Sequence, residues 1–157
     1  MTSGLIKRVR ISPPDSHVDG RRAIIDIYRA DLQKDFVRNI AAIGSIMVRN
    51  PDKGIDEGGR AILGNHYHQR KDELFHLSAG RGVLHLLDVE SGEDLVLQLE
   101  ASDPRSTYLF VPRKIVHTYC LEPGSVLIHA AANIDSQLYN PTDAADNIAH
   151  ILVKPSR

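Results

Sequence analysis

The stretch Gly64–Gly82 reads GNHYHQRKDELFHLSAGRG, and its spacing decides how the rest of the chain is read. His66 and His68 stand two residues apart, and on a β-strand that spacing sends both imidazoles to one face and Tyr67 to the other. The charged run Gln69–Asp72 reads as a turn. Glu73 begins the next strand, with Phe75 and Leu77 sharing its face by alternation. Gly80 and Gly82 form a further tight turn. A hairpin of this kind can bring two imidazoles and one carboxylate to a common point inside a β-barrel.

Outward from that hairpin, strand signals dominate. Arg22–Tyr28 (RAIIDIY) is β-branched and apolar, and Asn39–Val48 (NIAAIGSIMV) reads as strand in its second half, where Ile43, Ile46 and Val48 are β-branched. Asn50–Gly59 is turn chemistry throughout. Ala61–His68, Glu73–Ser78, Gly82–Val89, Leu95–Leu99, Thr107–Val111, Val116–Leu121 and Ser125–Ala132 are short apolar runs bounded by Gly, Pro, Asp or Ser. Many short strands at even spacing predict an all-β sandwich or barrel. A minor helix is expected near the C-terminus, over Thr142–Ala149, and a turn of helix within Gln33–Ile40.

The 157 residues suit one domain with a real core, with no repeat or linker to divide them. The formal net charge of -1 gives no basic field to attract nucleic acid. No apolar run is long enough to span a bilayer, and the charged start at Lys7, Arg8 and Arg10 does not read as a signal peptide. The single cysteine, Cys120, cannot close an internal disulfide, in keeping with a cytoplasmic location. The chain has eight histidines, so where they fall bears directly on function. The two imidazoles and the carboxylate of the hairpin, His66, His68 and Glu73, with positions left open, suit a divalent Zn, Fe, Mn or Ni ion. The same groups without a metal offer a general base.

The hairpin resembles the first motif of the cupins, in which a glycine precedes an HxH pair and a glutamate and second glycine follow at fixed intervals. His66, His68, Glu73 and Gly80 keep those intervals; the leading glycine is displaced, with Arg60 at its place and Gly59 before it. In the second motif Pro112 and His117 keep their spacing, while Ser106, Lys114 and Leu121 replace its two glycines and its asparagine. The resemblance implies a cupin jelly-roll β-barrel of two antiparallel sheets, with His117 joining His66, His68 and Glu73 as a candidate metal ligand.

GNHYH, followed by a lysine, an acid and Phe, is similar to the cupin portion of bifunctional capsule-precursor enzymes. It is also similar to the 3,4-ketoisomerases of thymidine-diphospho-sugars. Asp19-Gly20-Arg21-Arg22 with AIIDIY, and the late ANIDSQLYNPTDAADN, extend the likeness. It implies an isomerase or epimerase acting on a nucleotide-diphosphate-4-keto-6-deoxysugar, with His66 or His68 as base and no nucleotide cofactor. Tyr119 shares the face of His117 and is a candidate proton donor. Leu63 stands where those enzymes usually carry arginine, and Arg60 is the candidate for binding substrate oxygens in its stead, with Arg49 as another. Alternatives are a metal-dependent cupin of another reaction type, an oxygenase or lyase, and a non-catalytic small-molecule-binding cupin.

His76, His85 and His129 lie on apolar strands and read as packed or interface residues; His17 and His150 read as solvated. Small cupins commonly pair through an exposed sheet, so a homodimer is expected.

Overall fold

A computed structural model describes residues 4–9, 15–18, 23–26, 36–103, 108–135 and 146–156. One helix, α1 (Gly4–Arg8), precedes eleven strands among these residues. β1 (Asp15–Val18) and β2 (Ala23–Asp26) form an antiparallel pair. The next strands are β3 (Ile40–Met47), β4 (Ala61–His68), β5 (Asp72–Ala79), β6 (Arg81–Asp88) and β7 (Asp94–Glu100). β8 (Tyr108–Val111), β9 (Ile115–Leu121), β10 (Val126–Ala132) and β11 (Asn147–Ala149) complete the order. They build a four-stranded sheet, β3-β10-β5-β8, and a five-stranded sheet, β11-β4-β9-β6-β7. All strand pairings within the two sheets are antiparallel. The expected two-sheet jelly roll is therefore present, as a sandwich of separate sheets rather than one closed ladder.

Alternation explains how the sheets close on each other. Phe75, Leu77, Leu109, Val111 and Leu127 from the four-stranded sheet meet Ala61, Leu84, Leu86, Ile115, Tyr119 and Leu121 from the five-stranded sheet in one buried cluster. The residues between them on the four-stranded sheet, Leu74, Tyr108, Phe110, Ala130 and Ala132, form a second cluster on its other face with Val37.

Three segments depart from the sequence reading. α1 was not expected; Leu5 and Val9, one helical turn apart, are both buried in the inter-sheet core. The Glu93 carboxylate accepts from the Leu5 backbone N–H at 2.7 Å and from that of Gly4 at 3.2 Å. Over Thr142–Ala149, Asp146 alone of the described residues is helical, in 3-10 form; Asn147–Ala149 is strand β11, paired with His68, Tyr67 and His66. The open edge of β4 supplies hydrogen bonds that outweigh the local helical preference of the alanines. Residues 142–145 lie outside the described residues, as do 33–35 of the segment Gln33–Ile40, whose remaining residues form no helix. Among the described residues no helix is long and apolar enough to cross a membrane.

Gly80, the closing glycine of the motif, turns β5 into β6 with φ at +86°. A Cβ there would overlap the Ser125 side chain. We predict that Gly80→Ala lowers stability by about 2–4 kcal/mol, from left-handed strain plus overpacking, read as a lower urea midpoint. Gly92 has φ +74° but open space around it, so Gly92→Ala loses only about 1–2 kcal/mol. Equal losses would contradict the packing argument.

Candidate functional site

The site begins with a break in strand β4. Ala61 and Leu63 point into the inter-sheet space, opposite Leu121 and Tyr119 of β9. Unbroken alternation would next turn Asn65 and Tyr67 inward and both histidines outward. Instead the register shifts between Gly64 and His66, where Gly64 (φ +86°) and Asn65 (φ +58°) are both left-handed. The bulge reverses the parity of the strand, and His66 pairs with His117 facing the cavity.

Asn65 tolerates this conformation better than most side chains, and its amide is fully used. Its Oδ1 accepts from Thr118 Oγ1 at 2.8 Å and from the Leu152 and Val153 N–H groups at 3.1 Å. Its Nδ2 donates to the Val153 carbonyl at 3.0 Å. The C-terminal segment is thereby clipped to the back of the bulge.

His66, His68, Glu73 and His117 converge, each offering a donor atom within 4.8 Å of the others. Glu73 reaches across from the four-stranded sheet. Its Oε2 lies 3.2 Å from His68 Nε2 and 3.2 Å from His117 Nε2. Neither contact is aligned as a hydrogen bond. The other carboxylate oxygen, Oε1, is 3.3 Å from Lys71 Nζ. His66 and His117 each place Nδ1 3.2 Å from a backbone carbonyl, of Gly64 and Ile115. A carbonyl only accepts, so those nitrogens carry the protons and Nε2 is left available. His68 Nδ1 instead faces Asp146 Oδ2 at 3.2 Å. Asp146 also accepts the Arg70 backbone N–H at 2.8 Å, which fixes the carboxylate beside the imidazole.

These groups line a cavity of about 240 Å³ between the sheets. Its five-stranded wall carries Leu63, His66, His68, His117 and Tyr119; its four-stranded wall carries Ile46, Glu73, Phe75, Leu127 and His129. Lys71, from the β4–β5 turn, reaches it as well.

The sequence expectation and the structure part at several residues. His66, His68, Glu73 and His117 are brought together. Tyr119 lines the same cavity, but on the wall of His117, two residues along one strand. Its hydroxyl is buried without a hydrogen-bond partner, and burial, with the Glu73 charge, pushes its pKa well above the usual phenol value. Arg60 is turned away from the cavity. Its Nε and Nη2 lie 2.7 Å from Asp56 Oδ2, over the outer face of the five-stranded sheet where His85 and Cys120 feel the pair. The i, i+4 spacing of Asp56 and Arg60 was the available signal. Lys71, Asp146 and His129 were not singled out. Lys71 read as a turn charge and Asp146 as part of a helix. The i, i+2 alternation of His129 with core residue Leu127 places it inward.

Burial first, then repulsion from His117 and His68, lowers the His66 pKa from 6.5 to about 4. For Glu73, burial raises the pKa, but the imidazoles of His117 and His68 set against its Oε2 outweigh it and hold the carboxyl well below 4.5. It is therefore an anion at neutral pH.

No family model matches this sequence, and no curated protein does. Among solved structures, the chain is similar to a dTDP-4-dehydrorhamnose 3,5-epimerase from Bacillus anthracis, at 13% identity and TM-score 0.70, covering 93% of this chain and 80% of that one. It is similar to a sugar 3,4-ketoisomerase from Thermoanaerobacterium thermosaccharolyticum at 18% identity and TM-score 0.64, covering 93% and 90%. A third likeness is to a TDP-fucose 3,4-ketoisomerase from Campylobacter jejuni, at 15% identity and TM-score 0.60, covering 89% and 87%.

The site's charges make acid stability testable. The unfolded chain takes up a proton at His66 near 6.5 and the folded chain only near 4, so stability is lost as pH falls through that window. Glu73, depressed in the folded state, contributes stability above its unfolded pKa and loses it at still lower pH. The urea midpoint should fall from pH 7 to pH 4.5, and His66→Asn should flatten that fall. A midpoint that rises over this interval contradicts the buried, neutral His66. We take these likenesses as establishing the fold: this chain shares the two-sheet architecture of those enzymes.

Proposed function

We propose that the chain is an isomerase or epimerase of a nucleotide-diphosphate-4-keto-6-deoxysugar, working by proton removal next to the ketone. The observation that carries this reading is the His68–Asp146 pair on a cavity that also presents Lys71. A carboxylate at Nδ1 fixes the tautomer and leaves Nε2 as the basic nitrogen. The contact is not aligned as a hydrogen bond, as is common before substrate closes such a site. An ammonium group in the same cavity supplies what the resulting oxyanion needs. The solved structures of similar fold, named as epimerases and ketoisomerases of dTDP- and TDP-linked sugars, support the substrate class.

In this reading His68 Nε2 takes the proton from C3. The C–H electron pair becomes the C3=C4 bond, and the carbonyl pair moves onto O4, giving an enediolate beside Lys71. Return of the proton from His68 to C4, with the O3 proton passing to O4, moves the ketone to C3. Return of a proton to the other face of C3 gives the epimer. His66, neutral near pH 7, lines the same wall and can hold a sugar hydroxyl. Two copies pair in this proposal, which the exposure of Ile43 (70%) and Met47 (69%) on edge strand β3 supports.

A second reading rests on a different observation. With Nδ1 of His66 and His117 held by carbonyls and that of His68 facing Asp146, three Nε2 atoms and Glu73 are left available, as in metal-binding histidine sites. Two of the donor separations, 3.2 Å each, are close to the roughly 3.4 Å edge of a tetrahedral site with bonds of about 2.1 Å. His66, His68, Glu73 and His117 thus fit a divalent ion, whose chemistry would be to polarise a bound oxygen. The Lys71 ammonium beside Glu73 weighs against a resident cation and for the proton-transfer reading.

The test is deuterium entry at C3 of a thymidine-diphospho-4-keto-6-deoxysugar in heavy water. Wild type should exchange it, His68→Asn should lose about 10³-fold, and Asp146→Asn about 10–100-fold. Exchange at wild-type rate in His68→Asn contradicts the base assignment. Stoichiometric metal in the purified protein, with activity lost on chelation, selects the second reading.

A further inference from the structure

His129 is the cavity histidine on the four-stranded wall, and the reaction above leaves it unused. It belongs to β10, whose register sets it opposite Phe75 of β5 on one side and Gly44 of β3 on the other. It therefore stands on the four-stranded wall, facing the five-stranded wall that carries His66, His68 and His117. Phe75 lies between the two, its ring centroid 5.5 Å from that of His117 and 6.4 Å from that of His129. The sheet is built around this imidazole. A Cβ at Gly44 would come within 2.7 Å of His129 Nε2, so the glycine leaves the space the ring occupies. Tyr119, the other proton-carrying side chain, stands on the wall of His117 and cannot approach a bound sugar from the far side.

We propose that His129 is the catalytic acid that returns a proton to C3 from the face opposite His68, which makes the reaction an epimerisation at C3. This rests on the proton-transfer reading given above. A flat enediolate held between the walls has the His68 side on one face and His129 on the other. The His129 imidazolium gives a ring N–H proton to C3; the C3=C4 electron pair forms the new C–H bond, and the O4 electrons restore the ketone. His129 is left neutral and His68 protonated, and exchange with solvent resets both. No oxidant or further reactant is needed. Paired groups placed on opposite faces of one carbon are what inversion requires, whereas migration of the ketone does not require a second base at C3.

The experiment follows deuterium at C3, and configuration at C3, by NMR for wild type, His129→Gln and Gly44→Ala incubated with a thymidine-diphospho-4-keto-6-deoxysugar in heavy water. Wild type should exchange and invert. His129→Gln should keep C3 exchange within about threefold and lose inversion by about 100-fold or more. Gly44→Ala keeps the imidazole but displaces it, and should lower kcat for inversion about tenfold with KM unchanged. This variant carries the test if His129→Gln does not fold. Inversion within threefold of wild type in His129→Gln overturns the assignment, as does a wild type that exchanges C3 with retention only; in both, the role of His68 stands. A wild type with no C3 exchange at all overturns the base reading, and His129 with it.

Discussion

The left-handed pair Gly64-Asn65 is the constraint on which the site depends. A strand offers only two faces, and β4 presents Ala61 and Leu63 to the core before the pair and His66 and His68 after it. Without the extra residue the histidines would face outward and Tyr67 inward. Left-handed backbone costs about 1–2 kcal/mol at a residue with a Cβ, and the structure offsets that cost locally. The amide of Asn65 ties together Thr118 of β9 and the C-terminal Leu152 and Val153, and the Asn65 carbonyl accepts from the His150 N–H at 2.7 Å. A Cβ on Gly64 would overlap the His117 carbonyl, so glycine is required there on two grounds. The bulge also positions Gly64 O against His66 Nδ1, which fixes that tautomer.

The second constraint is charge between two sheets. A buried carboxylate survives only with partners. Glu73 has three, His68, His117 and Lys71, drawn from two strands of the other sheet and a turn. The cluster therefore sits at one end of the inter-sheet core, beside the cavity, while the apolar residues from Phe75 and Tyr119 inward close the rest. Asp146 arrives from the opposite direction, beside β11, so that the imidazole of His68 is gripped between two carboxylates.

Much of this was legible in the sequence because strand alternation is short-range physics. His66, His68 and Glu73 declare themselves by spacing within one hairpin, and Gly80 by the turn it must make. His117 was reachable only through its distance from Pro112. What alternation alone does not show is which way a strand faces after a bulge. Asp146 lies 78 residues beyond His68 in a stretch whose alanines suggested helix, and the open edge of β4 decides otherwise. Arg60 was the candidate to replace the arginine missing at Leu63; six residues along an extended strand are roughly 20 Å, and Asp56 holds it to the outer face. His129 was read as packed because its neighbours are apolar. Those neighbours are the cavity wall.

Fold, bulge and charge converge on a cavity in which imidazoles from both walls and a lysine surround one small space. In the proposed reading it takes the sugar of a nucleotide sugar, with the nucleotide lying outside. A crystal structure with a thymidine-diphospho-6-deoxysugar that lacks the ketone tests this most directly. The account predicts the sugar between the two walls, with His68 Nε2 within about 3.5 Å of C3 and His129 on the opposite face. A sugar bound outside the cavity, or a metal ion on His66, His68, Glu73 and His117 with the sugar hydroxyls ligating it, would contradict it.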